Sequence, residues 1–279
     1  MKKNISQLTK SNSITMITAY DYPTAYIADQ SGIDTILVGD SVGVTVLGYD
    51  SVSMVTMKDM IHHLSAVRRA VESALIIADM PIGSYKSPEI ALKNAKRFMK
   101  YGADAIKMEG GQEIIKQVKI LIKNQIPVCG HLGYLPQSGQ QPSVIGKSLS
   151  SAQKLILDAL CLQKAGAFMI VLELVPIELA KIITNMLHIP TIGIGAGPYC
   201  DGQVQVFHDI MGLSPKLYKH SKLYFKGNIA LINAIKKYIK DVKNKKFPTI
   251  KNASNIDKKV VIQIKNWLKA KNLSKKASY

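Results

Sequence analysis

The sequence predicts an α/β barrel of eight parallel strands, each followed by a helix, and three observations predict it. Apolar runs and helical patterns alternate along the chain. The runs are apolar at consecutive positions rather than at every second one, which implies strands buried on both faces and hence a parallel sheet covered by helices. The alternation reaches eight units within 279 residues, and a closed (β/α)8 barrel typically takes about 250 residues.

Residues 13–20 read as the first strand, and a helix over 24–31 follows. Gly32 ends it, as a residue that tolerates the left-handed turn at a helix C-terminus. The second strand is 35–40, succeeded by a Gly-rich loop (Gly43, Gly48, Tyr49, Asp50) and a helix over 57–72. The third strand covers 74–79, with Pro81 and Gly83 in its loop. Ser87-Pro88-Glu89 starts a helix that runs to Gly102: Ser87 caps it, and Pro88 stands where a missing N–H is harmless. The fourth strand is 105–109, and Gly110-Gly111 hands over to a helix at 113–123. The fifth strand is 127–131. A long loop over 133–148 follows, with Pro136, Gly139, Pro142 and Gly146; loops of this length in compact domains are characteristically active-site covers or disordered segments. A helix over 150–164, closed by Gly166, leads to the sixth strand at 168–174, a helix at 176–187, the seventh strand at 190–195 and a weaker eighth at 203–207. From Ser221 the pattern is helical, with a break at Phe247-Pro248-Thr249. Residues 1–248 are thus expected to form the barrel domain, and 249–279 a basic extension, helical or disordered.

The net charge of +18 resembles a nucleic-acid signal until it is located. Residues 216–279 carry 18 lysines and two aspartates, while the first 215 residues are close to balanced. The basic stretch has no arginine and only scattered aromatics, so it reads as solvated helix surface, and no nucleic-acid partner is expected. No apolar leader follows Met1-Lys2-Lys3, and the most apolar window, 167–180, is broken by Glu173 and Pro176, so no membrane span is expected. Cys129, Cys161 and Cys200 are odd in number and widely spaced, which suggests neither a disulfide framework nor a zinc motif and fits a cytoplasmic setting.

Five strands deliver one ionisable group each at the C-terminal end: Asp40, Asp79, Glu109, His131 and Glu173. In barrels of this kind that rim holds the active site. Side chains alternate along a strand, so Lys107 points to the same side as Glu109, one layer below it. Carboxylates gathered at one mouth repel each other unless a cation sits among them, and hard oxygen ligands with open positions suit Mg²⁺ or Mn²⁺ rather than zinc. His131 reads as a ligand, a donor to substrate or a structural histidine. Ser41, in the loop after Asp40, could hold an anionic oxygen through its hydroxyl or N–H. His62-His63 lie in a helix where only one can face the core. The glycines of Gly193-Ile194-Gly195-Ala196-Gly197 lack the spacing and position of a dinucleotide loop and read as close backbone packing or substrate approach at the end of the seventh strand.

Taken together, Val38-Gly39-Asp40-Ser41-Val42-Gly43, Gly48-Tyr49-Asp50-Ser51, Ala78-Asp79-Met80-Pro81, Lys107-Met108-Glu109-Gly110-Gly111, Gly130-His131-Leu132-Gly133, Val171-Leu172-Glu173 and Gly193-Ile194-Gly195-Ala196-Gly197 closely resemble the ketopantoate hydroxymethyltransferase family, over about residues 15–248. The resemblance implies a barrel of the phosphoenolpyruvate-mutase and isocitrate-lyase type. It implies transfer of a hydroxymethyl group from 5,10-methylenetetrahydrofolate to 3-methyl-2-oxobutanoate, giving 2-dehydropantoate through a Mg²⁺-stabilised enolate. By position, Asp40, Asp79 and Glu109 are implied to hold the metal; Asp40, Ser41, Asp79, Lys107 and His131 to bind substrate; and Glu173 to accept the proton. A large homo-oligomer, a decamer, is also implied. The chain departs from the family pattern at Leu174 and in the loop 137–150, where Lys147 is the basic residue. A carbon–carbon lyase of the same superfamily would share the metal site but use a cysteine-bearing loop, and Cys129 and Cys161 fall on a strand and a helix.

Overall fold

The computed structural model describes residues 4–8, 13–214 and 218–271. Parts of the N-terminal polar stretch, and residues 272–279 of the expected extension, lie outside the described residues. Eight strands close into a parallel barrel in sequence order. They are β1 (Ile14–Thr18), β2 (Thr35–Val38), β3 (Leu75–Asp79), β4 (Ala105–Glu109), β5 (Val128–Gly133), β6 (Met169–Glu173), β7 (Thr191–Ile194) and β8 (Gly202–Val206). The expected weak eighth strand pairs with both β7 and β1 and so completes the closure. A short helix α1 (Ile5–Leu8) precedes the barrel. In chain order α2 (Tyr22–Gln30), α3 (Val42–Thr45), α4 (Met57–Ala70), α5 (Pro88–Lys100), α6 (Ile115–Lys123), α7 (Leu149–Ala165), α8 (Ile177–Met186) and α9 (Phe207–Ile210) follow, then α10 (Gly227–Lys243) and α11 (Lys258–Ala270).

The continuous apolar runs do what they predict: β2, β3 and β4 are buried at every position. One core cluster lies between strands and helices, with Ile36, Ile76, Ile106, Ile170, Leu64 and Phe98 among its members. A second, including Met16, Leu37, Leu75, Ile77, Cys129 and Met169, fills the barrel itself.

The N-terminal end of the barrel is tied by a repeated device. Asp34, Asp104 and Asp201 each precede a strand, and a carboxylate oxygen of each accepts the backbone N–H of a residue on the neighbouring strand: Thr15, Ile76 and Thr191. Asp29 accepts in the same way from Glu72, Ser73 and Ala74. These acids satisfy backbone donors that the ladder leaves over, and the chemistry is left to the opposite rim.

Three local expectations shift. β2 stops at Val38, so Gly39-Asp40-Ser41 lies beyond the ladder. The Gly-rich loop after it contains α3 and a 3-10 turn at Val52–Met54. β5 extends to Gly133, so His131 lies within the strand. The chain divides into two compact units, residues 1–226 and 227–279. The second unit holds α10 and α11, whose apolar side chains Ile232, Ile235, Ile239, Ile264 and Trp267 are exposed.

Candidate active site

The ladder register brings the rim residues together in pairs. Asp79 on β3 lies opposite Lys107 on β4, and Glu109 on β4 lies opposite His131 on β5. Lys107 Nζ accordingly donates to Asp79 Oδ2 at 2.6 Å and stands 3.8 Å from Glu109 Oε1. The His131 ring is inserted between two acids, with Nδ1 3.3 Å from Glu109 Oε1 and Nε2 3.2 Å from Glu173 Oε2. Both contacts are close enough for charge attraction but off-line for hydrogen bonds, since neither ring nitrogen has a hydrogen-bond partner among the described residues.

All of this is buried. Asp40, Asp79, Lys107, Glu109 and His131 are each at most 5% exposed, whereas Glu173 sits at the edge with its side chain 18% exposed. Burial, followed by the charge of Asp79, pushes the Asp40 carboxyl well above the usual carboxylate range. Burial also raises Asp79, against the opposing pull of Lys107. Burial alone would lower Lys107, but the charges of Asp79, Glu109 and Asp40 outweigh it and hold the ammonium above its ordinary value. Glu109 is lowered: burial works against ionisation, and His131, Lys107 and the Gln137 N–H overcome it. His131 is raised to about 9, because Glu109 and Glu173 overcome the effects of burial and of Lys107.

Asp40 is positioned differently, since no ladder reaches it. Its N–H donates to Asp79 Oδ2 at 3.4 Å, and its Oδ2 accepts from Gln137 Nε2 at 2.8 Å. Ser41 shares a hydrogen bond of 2.7 Å with the hydroxyl of the fully buried Tyr20. The backbone carbonyl of Tyr20 accepts from His63 Nδ1 at 2.7 Å, which places the proton on that nitrogen. His63 is therefore the core-facing, structural member of the histidine pair.

Beside Glu173 the backbone is constrained. Leu174 adopts φ +49°, an uncommon conformation for a residue with a branched side chain. It is held there by ladder-like bonds, Leu174 N–H to Ile194 O and Ile145 N–H to Leu174 O, both 2.9 Å. Gly133, at φ +96°, lets the Tyr134 N–H reach the Glu173 carbonyl at 2.8 Å, and a Cβ there would fall on that carbonyl oxygen.

Sequence reasoning singled out Asp40, Ser41, Asp79, Lys107, Glu109, His131 and Glu173, and the structure gathers them at one barrel mouth. It missed Tyr20, Tyr85 and Gln137. Gln137 is buried in the long loop, and its amide oxygen accepts from the Tyr85 hydroxyl at 2.7 Å. The only available signal was the loop's length. Cys129 lies buried inside the barrel, Cys161 on α7 and Cys200 between β7 and β8, so no cysteine joins the cluster.

Among the described residues no three acidic, histidine or cysteine groups form a ready coordination shell. Asp79 Oδ1 and Glu109 Oε1 are nevertheless buried without a hydrogen-bond partner. Such a donor set suits Mg²⁺, which is commonly held by one or two carboxylates and completes its octahedron with waters and substrate oxygens.

Comparison with known proteins agrees with this geometry. The fold is shared with the crystal structure of 2,3-dimethylmalate lyase, described as a phosphoenolpyruvate mutase/isocitrate lyase superfamily member (TM-score 0.57, 14% identity, 98% of each chain). It is shared too with phosphonopyruvate hydrolase in complex with oxalate and Mg²⁺ (TM-score 0.59, 13% identity, 96% of this chain and 98% of that one). Among curated sequences, the 3-methyl-2-oxobutanoate hydroxymethyltransferase of Dehalococcoides mccartyi (strain CBDB1) is 51% identical over 275 residues, covering 95% of this chain and 99% of its own. The enzyme of the same name from Acetivibrio thermocellus is 49% identical over 259 residues, with 90% and 91% covered. The family model described as ketopantoate hydroxymethyltransferase matches residues 2–250, and the chain belongs to that family.

Proposed function

We propose that this protein transfers a hydroxymethyl group from 5,10-methylenetetrahydrofolate to 3-methyl-2-oxobutanoate, giving 2-dehydropantoate. The observation that carries the reading is the buried group of Asp40, Asp79 and Glu109, with two carboxylate oxygens that accept no hydrogen bond, and Glu173 on a separate strand beyond His131. Relatives at about half identity carry the name of that activity, which supports the substrate.

Asp40 and Asp79, with Glu109 beside them, would hold Mg²⁺, and Mn²⁺ satisfies the same hard-oxygen chemistry. A distant relative of this fold that was crystallised with oxalate and Mg²⁺ supports that choice. Bound there, the ion supplies Lewis-acid polarisation of the 2-oxo acid and so favours loss of the C3 proton. Lys107 contributes a fixed positive charge for a substrate oxygen, and the Ser41 hydroxyl, oriented by Tyr20, a second polar contact. Glu173 accepts the C3 proton, and His131 steadies its carboxylate. C3 then bonds to the methylene carbon as that carbon's two bonds to N5 and N10 of the folate break; water supplies the hydroxyl group, and its other proton and the one held by Glu173 go to the two nitrogens as tetrahydrofolate leaves.

The same reading extends to a cytoplasmic enzyme that works as a homo-oligomer. Among the described residues no helix is long and apolar enough to cross a membrane. The reading is tested by assaying 2-dehydropantoate formation from the two substrates with Mg²⁺ and with EDTA. Product that depends on the metal is expected; folded protein giving none in either condition would overturn it.

A further inference from the structure

Gln137 is the most thoroughly bonded side chain at the barrel mouth, and it comes from the loop rather than from a strand. Its Nε2 donates to Asp40 Oδ2 at 2.8 Å and to the Met80 carbonyl at 2.9 Å. Its backbone N–H donates to Glu109 Oε2 at 3.1 Å. Its Oε1 accepts from the Tyr85 hydroxyl at 2.7 Å, and the Tyr85 carbonyl accepts from Gln117 Nε2 at 3.2 Å. The partners fix the amide's orientation: carboxylate and carbonyl oxygens can only accept, and a phenolic hydroxyl supplies the donor for the other side.

The result is a division of oxygens within the cluster. Asp79 Oδ2 is occupied by Lys107, and Asp40 Oδ2 and Glu109 Oε2 by the two N–H groups of Gln137. Asp79 Oδ1 and Glu109 Oε1 accept no hydrogen bond, and Glu109 Oε1 has only the longer charge contacts to Lys107 and His131. Gln137 therefore orients two of the three carboxylates at once without adding charge. A lysine in its place would neutralise Asp40; the side-chain amide aligns Asp40, the backbone N–H aligns Glu109, and the charge of both stays available to a cation.

We propose that Gln137 is a positioning residue. It sets the rotamers of Asp40 and Glu109 for the divalent ion and, through Tyr85, ties the turn at Pro136–Ser138 down over the barrel mouth. The proposal rests on the metal-dependent reading above. Residues that hold metal-ligating carboxylates typically contribute 10–100-fold to metal affinity, so Gln137 has a readout separate from turnover.

The experiment is titration of the full-length protein with Mn²⁺, followed by electron paramagnetic resonance, alongside urea unfolding in EDTA and steady-state kinetics. Gln137→Met keeps length and apolar bulk but removes every polar contact of the side chain. It is expected to weaken Mn²⁺ binding about 10–100-fold and to raise the metal concentration needed for half-maximal rate by a matching factor. Saturating metal should restore most of kcat. Tyr85→Phe removes the hydroxyl that orients the amide at 2.7 Å, together with its longer 3.4 Å contact to the Glu109 carbonyl, and is expected to weaken Mn²⁺ binding in the same direction by a smaller factor. It also carries the test if Gln137→Met does not fold. Mn²⁺ affinity unchanged in either folded variant, while the wild type binds the ion, would overturn the positioning role and leave the metal reading standing. A wild-type protein that binds no Mn²⁺ would instead overturn the metal reading, and the proposal with it.

Discussion

Replacing Lys107 with methionine removes one positive charge from the centre of the cluster while nearly conserving volume. Nζ stands 2.6 Å from Asp79 Oδ2 and 3.8 Å from Glu109 Oε1, with all three side chains at 5% exposure or less. Breaking a buried ion pair from one side typically costs ~3–5 kcal/mol, because the remaining charge is left uncompensated. The carboxylates have one escape, which is to bind a proton. For a carboxyl of ordinary pKa near 4, that takes about three pKa units at pH 7, or ~4 kcal/mol. Burial already raises Asp79, so the proton route is the cheaper one and the expected loss lies near ~3 kcal/mol. Mg²⁺ supplies the countercharge that methionine lacks, so the gap between variant and wild type should narrow in saturating metal. Urea unfolding followed by far-ultraviolet circular dichroism, in EDTA and in Mg²⁺, measures both quantities. A loss below ~1 kcal/mol in EDTA would show that Lys107 is not compensating ionised carboxylates. A loss identical in the two conditions would show that the ion does not share their cluster.

Glu173→Gln removes the proposed proton acceptor while keeping shape, and exchange of the C3 proton of 3-methyl-2-oxobutanoate into deuterated water should fall by about 10²–10⁴-fold; persistent exchange with metal and substrate bound would remove Glu173 from that role. His131 carries a pH signature in the metal-free protein. Its folded value, about 9, lies above the ordinary 6.5, so its contribution is fully present below pH 6.5 and is lost as pH rises through 9. The stability difference between wild type and His131→Gln in EDTA should therefore shrink from about 3 kcal/mol at pH 6 towards nothing at pH 10, and a difference that grows with pH would contradict the assignment. Gly133→Ala places a Cβ on the Glu173 carbonyl oxygen at a backbone φ of +96°. It should cost at least ~1–2 kcal/mol from the left-handed conformation alone, visible as a lower midpoint in urea.

Much of the fold and site was legible because it depends on local chemistry. Consecutive apolar residues such as Leu75-Ile76-Ile77-Ala78 can be satisfied only by burial on both faces, so the parallel sheet and its rim followed. Alternation put Lys107 and Glu109 on one side of β4, and the 3.8 Å separation agrees. The shorter contact, 2.6 Å to Asp79, was not legible, since it depends on the register between β3 and β4. Tyr20 looked like the last residue of a strand; its partnership with Ser41 depends on where β2 stops. Gln137 was harder still. It meets Asp40 across 97 residues of sequence, and no periodicity carries information about a loop's path.

The contrast between strand-borne and loop-borne groups bears on how the site works. Lys107, Glu109 and His131 sit inside ladders, so their backbones are fixed by bonds that also hold the barrel closed. Asp40 stands two residues past the end of β2 and is held by the side chains of Asp79 and Gln137. It is also a carboxyl that burial and a neighbouring negative charge leave least at ease when ionised. A divalent cation arriving at this mouth therefore relieves repulsion at a carboxylate that lies outside the strand ladder. The barrel supplies the rigid half of the site, and the long loop supplies the half that can be tuned, through one neutral amide.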